Sequence, residues 1–324
     1  MRYLLTCLGE ILIDFLPIED QGRTLGFTMH PGGSPLNVAV GLARLDAGPV
    51  AFAGKVATDF FGRFLRAYVE SQGIDTRFLL SADASSTLAF VAMESGEAAY
   101  SFYGEGAADT LLTAAEVPSA LFDETRALHI GSISLLRGTT PAAVLATVER
   151  LKGRALISFD PNIRPGLVRD EPAYRALLAR LFALADVVKL SMADLAWLAP
   201  GTPIARAAAE LLVQGPALVV VTRGGEGVMA LHAATPRERP YDVPAFPIDV
   251  VDTVGAGDTF DAGLLAGLAE RGALSREALL ALDPNKIIGA LRYAAAAAAL
   301  VCARAGADPP RRAEVEQFLA RHSA

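Results

Sequence analysis

The sequence is poor in the residues that build metal sites and disulfide frameworks. Of 324 residues, two are cysteine (Cys7 and Cys302) and four are histidine. No Cys-x-x-Cys or His-x-x-x-His spacing occurs, which argues against a zinc site. Both cysteines stand in apolar runs, so each is expected to be a buried thiol acting as a small hydrophobe. So little cysteine fits a reducing compartment, and the protein is expected in the cytoplasm. A basic excess is missing too: 29 Lys and Arg stand against 36 Asp and Glu, a formal net charge of −7, which argues against nucleic acid as a partner. The apolar run at 293–303 is too short to span a bilayer. Gly9, Glu10 and Asp14 interrupt the apolar start of the chain, and no small-residue cleavage site follows. Neither a membrane partner nor a leader is therefore expected. Linkers, internal repeats and low-complexity tracts are also lacking. The six alanines at 294–299 read as a packed helix, alanine being the best helix former.

What is present is an ordinary globular composition, 52% hydrophobic and 20% charged, on a chain long enough to bury a core without disulfides. Apolar, β-branched runs predict buried strands at 3–7, 50–55, 127–130, 155–160, 187–190, 217–222 and 227–231. Helix-period segments lie at 35–45, 62–71, 140–151, 172–184, 204–212, 257–270 and 285–303. Such alternation predicts a single α/β domain over 1–324, with a mostly parallel sheet and helices on both faces. Two stretches break it. One is 11–29; the other, 88–103, reads as a hairpin turning at Ser95-Gly96-Glu97. These β pieces predict a lid or a dimer surface, or else a plain edge hairpin.

The sharpest chemistry lies in Asp252-Thr253-Val254-Gly255-Ala256-Gly257-Asp258-Thr259-Phe260. Gly255, Ala256 and Gly257 let backbone N–H groups point one way at a helix start, where the dipole adds positive character. That makes an anion hole for a phosphate in transfer. Asp258 beside it can take a hydroxyl proton as general base. The plainer alternative is a glycine turn followed by a helix with an N-terminal carboxylate. In Pro31-Gly32-Gly33-Ser34-Pro35-Leu36-Asn37 the diglycine allows close approach of a ligand, and Asn37 offers a donor and an acceptor to a sugar hydroxyl. The same residues serve a plain helix start, with Ser34 as cap and Pro35 in the first turn.

Asp160, Asn162 and Arg164 follow a buried strand, where α/β sheets place ligands. Gly54-Lys55 also follows a strand and offers one cation. Thr222-Arg223-Gly224-Gly225-Glu226-Gly227 is either a hairpin turn or a glycine surface for a nucleotide. Two familiar motifs fail. Gly48 to Lys55 has the wrong glycine spacing for a P-loop and Val56 where Ser or Thr belongs, and no Gly-x-Gly-x-x-Gly opens a helix after the first strand.

The Asp252–Asp258 segment with Thr259-Phe260 resembles the C-terminal signature of PfkB-family carbohydrate kinases, and Gly32-Gly33 with Asn37 resembles their N-terminal signature. The two lie in the family's order and the resemblance covers essentially the whole chain. It implies a ribokinase-like three-layer α/β fold with a mostly parallel central sheet and a small β-sheet lid from about 11–29 and 88–103. Asp14, Gly33 and Asn37 would bind sugar hydroxyls, with Lys55 near the substrate and Asp258 as base. Thr222, Gly224 and Gly227 resemble the nucleotide-side Thr-x-Gly-x-x-Gly. Asp252 matches a ligand of a monovalent cation, K⁺, while Mg²⁺ would arrive with ATP. After Lys189, Ser191 and Asp194 stand where the family often has Asn-x-x-Glu, a departure that shortens the carboxylate.

The runs around Asp14, Asn37, Phe102-Tyr103 and Asp160-Pro161-Asn162-Ile163-Arg164 are similar to bacterial fructokinases. The resemblance therefore implies fructose phosphorylation by ATP. A small lid sheet projecting from the domain would leave strand edges exposed, so a homodimer paired through lid strands is expected. Arg164 leaves 2-keto-3-deoxygluconate open, and Phe90, Phe102 and Tyr103 leave a nucleoside open. A sugar sensor on the same scaffold would have no need of Asp258.

Overall fold

The computed structural model describes residues 4–20, 23–94, 97–237 and 239–322. Its strands are β1 (Leu4–Leu8), β2 (Leu12–Asp20), β3 (Arg23–Gly32), β4 (Val50–Ala57), β5 (Asp75–Ala82), β6 (Thr87–Glu94), β7 (Glu97–Tyr103), β8 (Thr125–Gly131), β9 (Leu156–Asp160), β10 (Val187–Ser191), β11 (Leu218–Thr222), β12 (Val228–His232) and β13 (Tyr241–Val243). The helices are α1 (Ser34–Arg44), α2 (Phe60–Ser71), α3 (Ser119–Glu124), α4 (Thr140–Leu151), α5 (Glu171–Leu184), α6 (Met192–Leu198), α7 (Ile204–Gln214), α8 (Ala256–Glu270), α9 (Arg276–Leu280), α10 (Pro284–Cys302) and α11 (Arg312–Arg321). Tyr3, expected in the first strand, and Ser95-Gly96, expected at the hairpin turn, lie outside the described residues.

Strand β11 shows why the large sheet is covered on both sides. Successive side chains alternate faces. Leu218 and Val220 enter one apolar core with α1, α2, α8 and α10, while Val219 and Val221 enter the other with α4, α5 and α7. The sheet runs β13-β12-β11-β10-β9-β8-β1-β4-β5. All its pairings are parallel except β11–β12 and β12–β13. A second sheet, β3-β2-β6-β7, comes from the two stretches that broke the alternation in sequence.

Helix α10 is the one helix among the described residues long and apolar enough to cross a membrane, longer than the 293–303 run suggests. Here it lies against α8, with Ile287, Leu291, Val301 and most of its alanines buried. A side chain on Gly263 of α8 would come within 2.7 Å of Ala294 Cα, so small residues set this close approach. The tight seating fixes α8, whose first turn reaches the site. Cys7 is buried as expected. Cys302, at the end of α10, is only half-buried because the helix stops there and the chain turns towards solvent.

Candidate active site

From β1 the chain builds outward to β4 and β5 on one side, and later from β8 to β13 on the other. Such a switch point leaves a crevice at the carboxyl ends of the strands. A cavity of about 340 Å³ opens there. Glu10 lines it from the end of β1, Ser132 and Ile133 from the turn after β8, and Asn162 and Arg164 from the turn after β9. The start of α1 adds Gly33, Ser34 and Asn37; the start of α8 adds Gly255, Gly257 and Asp258. Asp14 of β2 and Phe102 of β7 line it from the small sheet.

Asp258 is buried in the first turn of α8. Its Oδ1 accepts the Ser34 hydroxyl at 2.7 Å and its Oδ2 accepts Asn37 Nδ2 at 2.8 Å. Burial pushes its carboxyl above the usual carboxylate range, against the pull of these two donors and of the Lys189 charge. Gly255, the N-cap of α8, has φ 75°, a conformation that costs glycine nothing. Gly257 faces the cavity, but the Ala256 N–H donates back to the Thr253 carbonyl at 3.2 Å. Ala256 was expected to donate to an anion; its N–H instead closes the turn before α8.

Behind this turn lies a buried ion cluster. Lys189 Nζ donates to Asp160 Oδ2 at 2.8 Å and stands 3.5 Å from Asp261 Oδ2. One ammonium cannot neutralise two buried carboxylates. Burial would pull Lys189 down, but Asp160 and Asp261 outweigh it and hold the ammonium charged. Burial also opposes ionisation of Asp160, and there Lys189 prevails and holds the carboxyl low. Burial and the neighbouring Asp160 push the Asp261 carboxyl well above the usual carboxylate range, against the pull of the Lys189 charge.

Glu10 ties three elements together. Its Oε1 accepts the Ser34 N–H at 3.1 Å, and its Oε2 accepts the Ser134 N–H at 3.0 Å and the Ser134 hydroxyl. Burial pushes its carboxyl up to about 7 in spite of these bonds. Gly33 has φ 110°, and a side chain there would meet the Glu10 carbonyl at 2.7 Å. Burial, then the charge of Asp258, push Asp14 up to about 7.

Other expected residues lie elsewhere. Lys55 does not reach the cavity. Its ammonium donates to the Leu111 carbonyl at 2.9 Å and to Glu116 Oε1 at 2.7 Å, since a buried cation must be neutralised where it lies. The bond from Lys55 in turn holds the Glu116 carboxyl at about 2. Lys189 is spent on its ion cluster. Ser191 and Asp194 cap α6 reciprocally, with Asp194 N–H to Ser191 Oγ at 3.1 Å and Ser191 N–H to Asp194 Oδ2 at 2.8 Å. Asp194 Oδ1 takes the Ile163 N–H at 2.7 Å. Thr222 to Gly227 is a hairpin turn between β11 and β12, at the same edge of the sheet as the cavity but not lining it. A side chain on Gly224 would meet open space, whereas one on Gly227 would strike the Val243 carbonyl at 2.1 Å. Asp252 Oδ1 accepts the Val254 N–H at 3.0 Å and Oδ2 the Gly306 N–H at 2.8 Å, which joins the two loops beside α8.

Glu10, Ser34 as a contact of Asp258, Ser132 and Asp261 were not foreseen as site residues. For Ser132 the signal was available, since it follows a predicted strand at its carboxyl end. For the others the partners are too distant in sequence.

A crevice at the switch point, a glycine turn at a helix start and a buried carboxylate define a phosphotransferase with an alcohol group as acceptor. The chain belongs to the PfkB family of carbohydrate kinases: it matches the pfkB family carbohydrate kinase over residues 3–313. It is 38% identical over 284 residues to a fructokinase of Rhizobium leguminosarum bv. trifolii, covering 88% of this chain and 85% of that one. The structure of Xylella fastidiosa fructokinase with bound ATP superposes with a TM-score of 0.90 at 33% identity, covering 99% of both chains. A double mutant of Vibrio cholerae O395 fructokinase, bound to fructose, ADP and potassium ion, gives 0.84 at 28% identity, covering 98% of each.

Proposed function

We propose that the protein transfers the γ-phosphate of ATP to the 6-hydroxyl of D-fructose, giving fructose 6-phosphate. The observation that carries this reading is Asp258: a buried carboxylate at the first turn of α8, opening onto a polar cavity under the small sheet. Asp258 accepts the hydroxyl proton as the oxygen attacks, and the helix start at Gly255–Gly257 receives the transferring charge. Asp14, Gly33, Asn37 and Arg164 hold the sugar, with Phe102 closing over it. Excluding water under the small sheet keeps it from competing for the phosphate. The relatives, a fructokinase bound to ATP and one bound to fructose and ADP, support the choice of substrates.

Nucleotide binding falls to the strand ends beyond the cavity, where the open space at Gly224 beside Thr222 suits close approach. Mg²⁺ comes bound to the phosphates. Asp252 fits K⁺ as one hard oxygen donor next to the helix start, where a cation supplies positive charge near the phosphate. The potassium in the Vibrio cholerae relative supports this part. Equal rates in sodium, potassium and large organic cation buffers would remove it.

The small sheet also carries the dimer reading. Ile18, Leu25, Phe27 and Tyr103 are exposed on it, and its edges are β3 and β7. An exposed apolar sheet is covered in most proteins, here by a second copy.

The test is ATP consumption against fructose, ribose, glucose, 2-keto-3-deoxygluconate and adenosine. Fructose is expected to give the highest kcat/KM. A tenfold preference for another member overturns the substrate, and no turnover of any overturns the kinase reading.

A further inference from the structure

Three hydrogen bonds converge on Ser34, the buried first residue of α1. Its main-chain N–H donates to Glu10 Oε1 at 3.1 Å, its hydroxyl donates to Asp258 Oδ1 at 2.7 Å, and its hydroxyl oxygen accepts from Asn162 Nδ2 at 3.2 Å. A serine hydroxyl has one hydrogen and two lone pairs. Asn162 feeds a lone pair, and an ionised carboxylate only accepts, so the hydroxyl hydrogen has one destination. Asn162 is pinned in turn. Its φ is 41°, and its N–H donates at 3.0 Å to Asp160 Oδ1, while the other Asp160 oxygen takes Lys189. The path Lys189–Asp160–Asn162–Ser34–Asp258 is unbroken, and it joins the ends of β10 and β9 to the starts of α1 and α8.

We infer that Ser34 is a positioning residue for Asp258, its hydroxyl holding the carboxylate ionised and aimed at the acceptor hydroxyl. The inference rests on Asp258 acting as the base. A donor to a carboxylate favours its charged form. The charged and titratable groups around Asp258 are Glu10 after β1, Asp14 of β2, Asp160 of β9, Asp261 of α8, and the cations Lys189 of β10 and Arg164 after β9. Carboxyl groups outnumber cations, and Lys189 is committed to Asp160. Neutral donors are therefore needed to keep Asp258 ionised, and Ser34 and Asn37 are those donors. Asn37 also lines the cavity, where the proposed sugar would compete for its amide. Ser34 is held from three sides and stays.

The test is the pH profile of kcat/KM, which reports the free enzyme, for Ser34→Ala, Ser34→Thr, Ser34→Cys and Asp258→Asn. The substrates are ATP and the fastest sugar of the panel. Loss of one charge-assisted hydrogen bond is expected to move the acid limb of Ser34→Ala up by about one pH unit. The plateau above the shifted limb should fall only a few-fold, because Asp258 is ionised again there. Ser34→Thr keeps the hydroxyl and should keep the wild-type limb. A purely structural role would lower activity in proportion at every pH and leave the limb in place. If the alanine variant does not fold, Ser34→Cys makes the same comparison against threonine, since a thiol is a weak donor of similar size. An unmoved limb in the alanine or cysteine variant, or an equal shift in the threonine variant, overturns the inference while an inactive Asp258→Asn preserves the base. Asp258→Asn within a few-fold of wild type removes both.

Discussion

Replacing Asp258 by asparagine keeps the side-chain shape and removes the one property the proposed reaction asks of it, a place for the hydroxyl proton. Losing a general base costs about 10²- to 10⁴-fold in rate. The neighbours dictate how the amide sits. Asn37 Nδ2 donates to one oxygen at 2.8 Å and the Ser34 hydroxyl to the other at 2.7 Å. If Asn37 turns its amide to accept from the new NH₂, Ser34 keeps its bond; if Asn37 stays a donor, the amide oxygen faces it and the new NH₂ faces Ser34. In the second arrangement Ser34 accepts instead of donating, and its hydroxyl hydrogen loses a partner, a cost of about 1 kcal/mol. Against that cost, the buried negative charge is gone. Burial holds this carboxyl above its usual range, so the ionised form weighs on stability at neutral pH and the amide relieves it. The variant is thus expected to fold at least as well as the parent at pH 8 and to bind fructose within a few-fold, while kcat collapses. Coupled ADP release gives kcat, calorimetry gives the sugar Kd, and thermal melts give stability. A kcat within a few-fold of the parent refutes the base assignment. An equal loss of kcat and sugar affinity refutes the division between chemistry and binding.

Three further outcomes follow from the structure. Lys189→Met strands Asp160 and Asp261 in the core and should cost about 3–5 kcal/mol in urea denaturation, whereas Asp261→Asn, replacing a carboxyl that burial and Asp160 push well up, should cost under about 1 kcal/mol; equal losses would refute that upward direction. Asp14 has a folded carboxyl raised to about 7 from 3.8, so it binds a proton more tightly when folded: its contribution is fully present below about pH 4 and is lost as pH rises through 7. Melts from pH 4 to 8 should therefore show a shallower decline in Asp14→Asn, and an unchanged slope counts against the shift. Phe27→Glu, on the exposed apolar part of β3, should leave a monomer by light scattering at micromolar concentration; an unaltered mass of two chains would place the dimer contact elsewhere.

The sequence spoke clearly where one element decides the outcome. The valine run of β11 must be buried on both faces, and the alternation of such runs with helix-period segments led directly to the parallel sheet. The two interruptions became the four-stranded sheet, its β3 extending to Gly32. Short or half-exposed elements escaped. In β5, half-buried Asp75 and exposed Arg77 precede buried Phe78 and Leu79 at the sheet edge, and β13 has only three residues. At the site, Gly255, Gly257 and Asp258 were legible because their geometry is local to one turn. Ser34 and Asp258 are separated by 224 residues and Glu10 and Ser134 by 124, so no spacing in the chain announces either pair. Lys55 misled for the same reason: a cation after a strand is visible, but Glu116, which neutralises it, lies 61 residues away.

Lys189 and Gly257 show how the distant and local constraints meet. A side chain on Gly257 would stand 2.8 Å from Lys189 Nζ. An ammonium at the end of a long side chain can usually move aside, but this one is fixed by Asp160 at 2.8 Å and shares its charge with Asp261. The glycine that reads in sequence as a phosphate turn is therefore also required by a buried ion cluster behind it. Helix α8 is seated against α10 through Gly263 and Ala294, so its first turn cannot retreat to make room. Position 257 thus answers to the ammonium behind and the helix packing below, and to an anion in front under the proposed reaction. Rigidity at that turn follows, and an anion hole is effective to the extent that its donors are already in place before charge develops.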